Sequence, residues 1–160
     1  MKRQLPVTFP PVTDELLSSW INRHDAFCAV PPLVLLRHYL PDTASLRATD
    51  LGLITHQAIH LAGLFSTEPI ILQRMTFGNV THSARKFIAT KPTQHCTNCN
   101  QGGTELTSVL RSQLLGWRIT CPQCGSQFSN SDRCEHPSLF QKYRVAAIRG
   151  EKLLDDEIER

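Results

Sequence analysis

Apolar residues recur at helical spacing through the first half of the chain. Leu16, Leu17, Trp20, Ile21 and His24 fall on one face of a single helix. Thr13 or Asp14 is placed to cap that helix, with Asp14 and Glu15 in its first turn. Ahead of it, residues 5–12 hold three prolines and no helical period, which predicts an extended arm. Pro31 and Pro32 end one helix and open the next, where Leu33, Val34, Leu35, Leu36 and Tyr39 run up to Pro41. A linker with Asp42 and Ser45 follows, then a single turn over residues 50–53.

Residues 55–77 have the pattern of a helix–turn–helix. Thr55 is expected to cap a helix carrying Ala58, Ile59, Leu61 and Ala62. Residues 63–67 supply the turn, and Pro69 starts a second helix with Ile70, Ile71, Leu72 and Met75. Small Ala58, Ala62 and Gly63 let two helices approach closely, as in DNA-reading units, where the second helix would offer Gln73 and Arg74 to a groove. A plain helical hairpin that binds protein gives the same pattern.

Beyond residue 90 the period breaks and cysteine chemistry takes over. Cys96-Thr-Asn-Cys99 and Cys121-Pro-Gln-Cys124 are two C-x-x-C turns separated by 21 residues. Each turn offers two thiolates to one ion. Together they supply the four soft ligands of a closed tetrahedral Zn²⁺ site, one per chain, structural because no position is left for water. Gly125 after the last cysteine lets the backbone wrap toward the ion. Two disulfides, a redox pair or another metal are the competing readings. The first residues carry no apolar segment of a secretory signal, so the expected compartment is a reducing cytoplasm, which disfavours disulfides. Trp117 to Thr120 alternates like a strand leading into Cys121. Cys134 and His136 are half of a second site without an evident partner pair, and Cys28 reads as a small buried hydrophobe. The final stretch from Leu139 is expected to be a helix ending in acids, and its abrupt end is what a fragment of a longer protein would show.

The chain has 160 residues, 41% of them hydrophobic and 19% charged, which suits a folded chain of one or two small domains. No apolar run approaches a membrane span. The net charge of +3 matters less than its distribution. Between Arg74 and Arg118 stand Arg74, Arg85, Lys86, Lys91, Arg111 and Arg118 against Glu105 alone, while the acids gather at Glu151, Asp155, Asp156, Glu157 and Glu159. A basic middle suits phosphate or an acidic partner. Gln73, Arg74, Arg85 and Lys86 are the candidates for DNA contact. No P-loop, nucleophile elbow or zinc-protease helix occurs, and the carboxylates before the acidic tail are few and not clustered, so no enzyme is expected. His56 and His60 are spaced to share a metal but lack a third ligand.

Several of these stretches, in order, resemble the TniQ family, target-selection proteins of bacterial transposons related to TnsD. Glu15 to Arg23 is similar to the family's opening E-S-L-x-S-W-L-x-R. Leu72 to Thr76 is similar to its L-x-x-M-T, and residues 96–99 and 116–125 are similar to its zinc finger with tryptophan ahead of the second pair. The family's second pair is often Cys-x-x-His, and many members carry a second finger. The resemblance implies a mainly α fold, a helix–turn–helix unit plus a zinc finger with a small zinc-ribbon-like β element. It implies a non-catalytic adaptor between target DNA, or a CRISPR-type guide-RNA effector complex, and an AAA+ ATPase that regulates the transposase, with a homodimer as one arrangement. The expected parts are a helical unit over 1–90, a zinc unit over 91–137 and a helical charged tail over 138–160. The alternative is a zinc-ribbon/helix–turn–helix transcription regulator.

Overall fold

The computed structural model describes residues 5–99, 108–130 and 143–158. They are mainly helical and divide into two compact units, Met1–Asn79 with Ser108–Arg111, and Val80–Thr107 with Ser112–Arg160.

The first unit holds five helices: α1 Leu17–Cys28, α2 Pro32–Tyr39, α3 Leu46–Leu51, α4 Thr55–Phe65 and α5 Pro69–Arg74. The apolar stripe read from the sequence is the buried face of α1, and Trp20 is the largest side chain in the core. Leu35 and Leu36 from α2, Leu61, Leu64 and Phe65 from α4, and Leu72 and Met75 pack with it in one cluster. The proline arm is extended and tied down. Leu5 N–H donates to Leu64 O, and Trp20 Nε1–H donates to Phe9 O at 2.8 Å.

Four expectations are corrected. Neither Thr13 nor Asp14 caps α1, because Asp14 turns left-handed (φ 62°) and the helix starts after Leu16. Its first N–H groups go to distant partners instead: Leu17 to Met75 O, and Ser18 to the Asp50 carboxylate at 2.9 Å. A helix end inside a core needs such acceptors, wherever they come from in the chain. The expected linker around Ser45 is the start of α3, with Ser45 Oγ accepting from Ala48 N–H. Thr55 is the first residue of α4 and not its cap. The Gln57 side-chain oxygen accepts from Ile54 N–H at 3.3 Å. The expected turn at 63–67 begins later, because α4 continues through Gly63 to bury Leu64 and Phe65 and stops at left-handed Ser66.

Residues 108–111 belong to this unit although they lie far along the chain. Leu110 bridges to Glu15, Leu16 N–H donates to Val109 O, and Arg111 N–H donates to Asp14 O.

The second unit has little regular structure. A short 3-10 turn at Arg85–Phe87 leads into an extended segment that pairs Ile88 with Leu115. Strands β1 (Gln94–His95) and β2 (Ser129–Asn130) are antiparallel, with His95 opposite Ser129. The strand expected at 117–120 reduces to one bridge, Thr120 with Gln127. Trp117 and Arg118 point their side chains at α6 (Arg144–Ile158), where Asp155 accepts from both. Within α6, Glu151 is the buried residue, while Val145, Leu153 and Leu154 are exposed. Gly102, Gly103, Cys134 and His136 lie outside the described residues.

Candidate metal centre

Two hairpin-like turns bring the cysteines together. Gln94 fixes the approach to the first turn: its side-chain amide donates to Ser112 O and Arg118 O at 3.0 and 2.9 Å. The second turn is closed from both sides. Phe128 N–H donates to Ile119 O, Cys121 N–H to Ser126 O, and Gly125 N–H back to Cys121 O. Gly125 takes φ +71°, a left-handed conformation that a side chain would strain. Asn98 then joins the turns, its amide donating to Ser126 Oγ at 2.6 Å.

The result is a tetrad. The sulfurs of Cys96, Cys99, Cys121 and Cys124 all lie within 4.8 Å of one another. Cys96 Sγ is 3.4 Å from Cys124 Sγ, and Cys99 Sγ is 3.8 Å from Cys121 Sγ. Metal–sulfur bonds of about 2.3 Å in a tetrahedron require sulfur separations of about 3.8 Å. The four thiols therefore fit one metal ion, and the set is closed by protein ligands alone. Cys96 and Cys121 are buried while Cys99 and Cys124 face outward. The hydroxyl and N–H of Ser126 hold the Cys124 thiol down to about 6. Its hydrogen bond with Cys124, followed by burial, pushes Cys99 up to about 12, and burial raises Cys121. The Cys124 thiolate thus forms readily, while Cys99 and Cys121 need a cation before they give up their protons.

The candidate DNA contacts fall in both units. Gln73 and Arg74 end α5 in the first, with Gln73 half-buried and Arg74 exposed. Arg85 and Lys86 stand in the second. Arg85 Nε–H donates to Val80 O at 3.2 Å, and the Lys86 ammonium lies 5.1 Å over the ring of Phe87. The basic middle is thinner than its sequence suggests. Arg118 pairs with Asp155 at 2.8 Å and Glu151 at 3.4 Å, and Arg111 sits 3.8 Å from Asp14 and 5.3 Å over Phe77. Acids counted as remote in sequence thus return to neutralise two of its cations. Sequence reasoning missed Phe87, an apolar ring 56% exposed beside two cations, although the run Arg85-Lys86-Phe87 carries the signal. His56 and His60 are exposed neighbours on α4 with ring centroids 6.3 Å apart, and they belong to no cluster of three ligands among the described residues.

The fold and the centre define a mainly helical chain with a tetracysteine element able to hold a metal ion. The chain matches no family model, and no curated protein or solved structure is similar to it at a level that carries weight. Among the described residues no helix is long and apolar enough to cross a membrane.

Proposed function

We propose that this chain is a non-catalytic adaptor of the TniQ type in bacterial DNA transposition, linking target DNA or a guide-RNA effector complex to an AAA+ ATPase. The observation that carries the reading is the closed four-cysteine centre, set in residues 96–99 and 116–125, the two stretches that resemble the family's finger. Four thiolates exclude a substrate from the metal, so the ion is a structural Zn²⁺. Helices α4 and α5 serve as the helix–turn–helix, with Arg74, Lys86 and Arg85 meeting phosphates and Gln73 a base edge.

The test begins with metal content of the purified chain beside Cys121→Ser. One zinc per wild-type chain, absent in the variant, is expected. Capture of a transposon AAA+ ATPase by the zinc-loaded chain is the functional step. Zinc without ATPase capture, together with tight binding to one palindromic duplex, would favour a transcription regulator instead. A chain that binds no metal removes the reading altogether.

A further inference from the structure

We infer that Phe87 and Lys86 form a stacking platform for an unpaired nucleotide, so that the second unit takes single-stranded nucleic acid. This rests on the nucleic-acid reading above and specifies which form is bound.

The backbone under Phe87 is fixed. Phe87 N–H donates to Ala84 O, Gly116 N–H donates to Phe87 O, and the next residues pair across to Leu115 and Leu114. Ile88 is buried and anchors the segment, yet Phe87 itself is 56% exposed. A large ring held on a rigid backbone and turned to solvent is poor core design but a good surface for stacking, because every base has a π-face. Gly116 lies against the base of the Phe87 side chain. A Cβ there would stand 3.9 Å from the Phe87 Cβ. The ammonium of Lys86 lies 5.1 Å over the ring, an exposed cation–π contact that is weak in water. A phosphate can therefore draw Lys86 aside while a base takes the ring.

The charge around the platform agrees. From Pro69 to Thr104 the chain has no carboxylate, while Arg85, Lys86 and Lys91 lie within a few residues of Phe87. Duplex DNA hides its base faces in the stack, so an exposed ring gains nothing from it, whereas a single strand offers both a face and a phosphate.

The experiment measures binding of the full-length, zinc-loaded chain to fluorescein-labelled oligothymidylate, to oligouridylate and to a duplex of equal length, by anisotropy across a salt series. Phe87→Ala is expected to weaken single-strand binding roughly tenfold and leave duplex binding unchanged. Phe87→Trp should retain affinity. Lys86→Ala should lower the slope of log K against log salt by about 0.7. Should Phe87→Ala lose its zinc or its circular dichroism, Phe87→Leu removes the ring and keeps the apolar volume. Binding of both strand forms with no change in Phe87→Ala or Phe87→Leu overturns the platform and leaves the nucleic-acid reading standing. Binding to none of the three, or only to poly-glutamate, overturns both.

Discussion

The two units solve the same problem with different materials. The first buries twelve apolar residues in one cluster around Trp20, ten of them from four of its five helices and two, Leu40 and Met75, from helix C-caps. Among the described residues the second buries Val80, Ala84, Ile88, Leu114 and Leu115, and around its cysteines a cluster of Cys96, Cys121 and Phe128, two of which are candidate ligands. A cysteine segment with so little apolar burial does not hold its shape on hydrophobic contact alone, and small elements of this kind depend on a metal or a crosslink. The first unit can lose a polar contact and keep its core. Without its ion, the cysteine segment of the second loses what an apolar core would otherwise supply.

Stripping the metal is the largest test of that contrast. Binding of structural zinc in small peptides is worth about 10–16 kcal/mol, and that is folding free energy. Hydrogen exchange with and without a chelator reads the two units separately. Amides at Cys121, Gly125 and Phe128, hydrogen-bonded across the second turn, should lose protection, while those of α1 keep it. Equal loss in both units would mean that the first is no more self-sufficient than the second.

The first unit has its own weak point, and it is polar. Glu15 is fully buried and both its oxygens are used. Arg23 donates Nε–H to Oε1 at 2.8 Å and Nη2–H to Oε2 at 2.7 Å, Val12 N–H donates to Oε2, and Ser19 Oγ lies 3.4 Å from Oε1. Ser19 Oγ also accepts from Val109 N–H, and Arg23 reaches Pro10 O. One carboxylate thus joins the arm, α1 and the segment that returns ninety residues later. Removing one partner of a buried pair costs about 3–5 kcal/mol. Arg23→Ala should lower the denaturation free energy of the first unit by that order, because it strands the fully buried Glu15 carboxylate, with Glu15→Ala costing less because the Arg23 side chain it leaves is 18% exposed and can hydrate. A loss under 1 kcal/mol would show that the network is decoration on the apolar core.

That network also explains how much was legible from sequence. The helical stripe of α1, the proline starts of α2 and α5 and the cysteine tetrad follow from local spacing, and all are present. The caps did not follow, because Asp50 and Met75 reach α1 from more than thirty residues away and leave no local signal. The pairing of residues 108–111 with Asp14, Glu15 and Leu16 is equally hidden. The residues that carry the family resemblance, Glu15, Leu17, Ser19, Trp20 and Arg23, are here buried or bonded for the fold itself. They speak to architecture first, and the functional reading must stand on binding experiments.

Titration sharpens the picture of the first unit further. Burial, against the hydrogen bonds from Ser18, raises the Asp50 carboxyl from 3.8 to about 6. The folded chain therefore holds this proton more tightly than the unfolded one. Its contribution is fully present below pH 4 and is lost as pH rises through about 6, by on the order of 2–3 kcal/mol. Asp50→Asn keeps an acceptor for Ser18 N–H and should be the more stable protein above pH 6. His24 acts in the opposite sense. Burial lowers its pKa below 6.5, its Nε2 accepts from Phe9 N–H at 2.9 Å, and its Nδ1 faces Trp20 O at 2.8 Å. Protonation turns that acceptor into a second donor facing an N–H, so stability is lost as pH falls. In Asp50→Asn, urea denaturation across pH should then show the acid-side loss alone.

The smallest expected effect lies where the second unit departs from dependence on metal. Gly116 is exposed, and its N–H donates to Phe87 O at 3.1 Å. A Cβ on Gly116 would stand 3.0 Å from that same oxygen, a backbone atom with no freedom to swing away. Gly116→Ala should push the two segments apart by a few tenths of an ångström and cost on the order of 1 kcal/mol, at the low end for overpacking. The pairing of Ile88 with Leu115 lies beside this contact and away from the cysteines in the chain, so the metal cannot compensate for it. If the metal alone organises the unit, Gly116→Ala will melt with the wild type when zinc is saturating. If the close approach at Phe87 contributes independently, the variant will melt a few degrees lower at every zinc concentration.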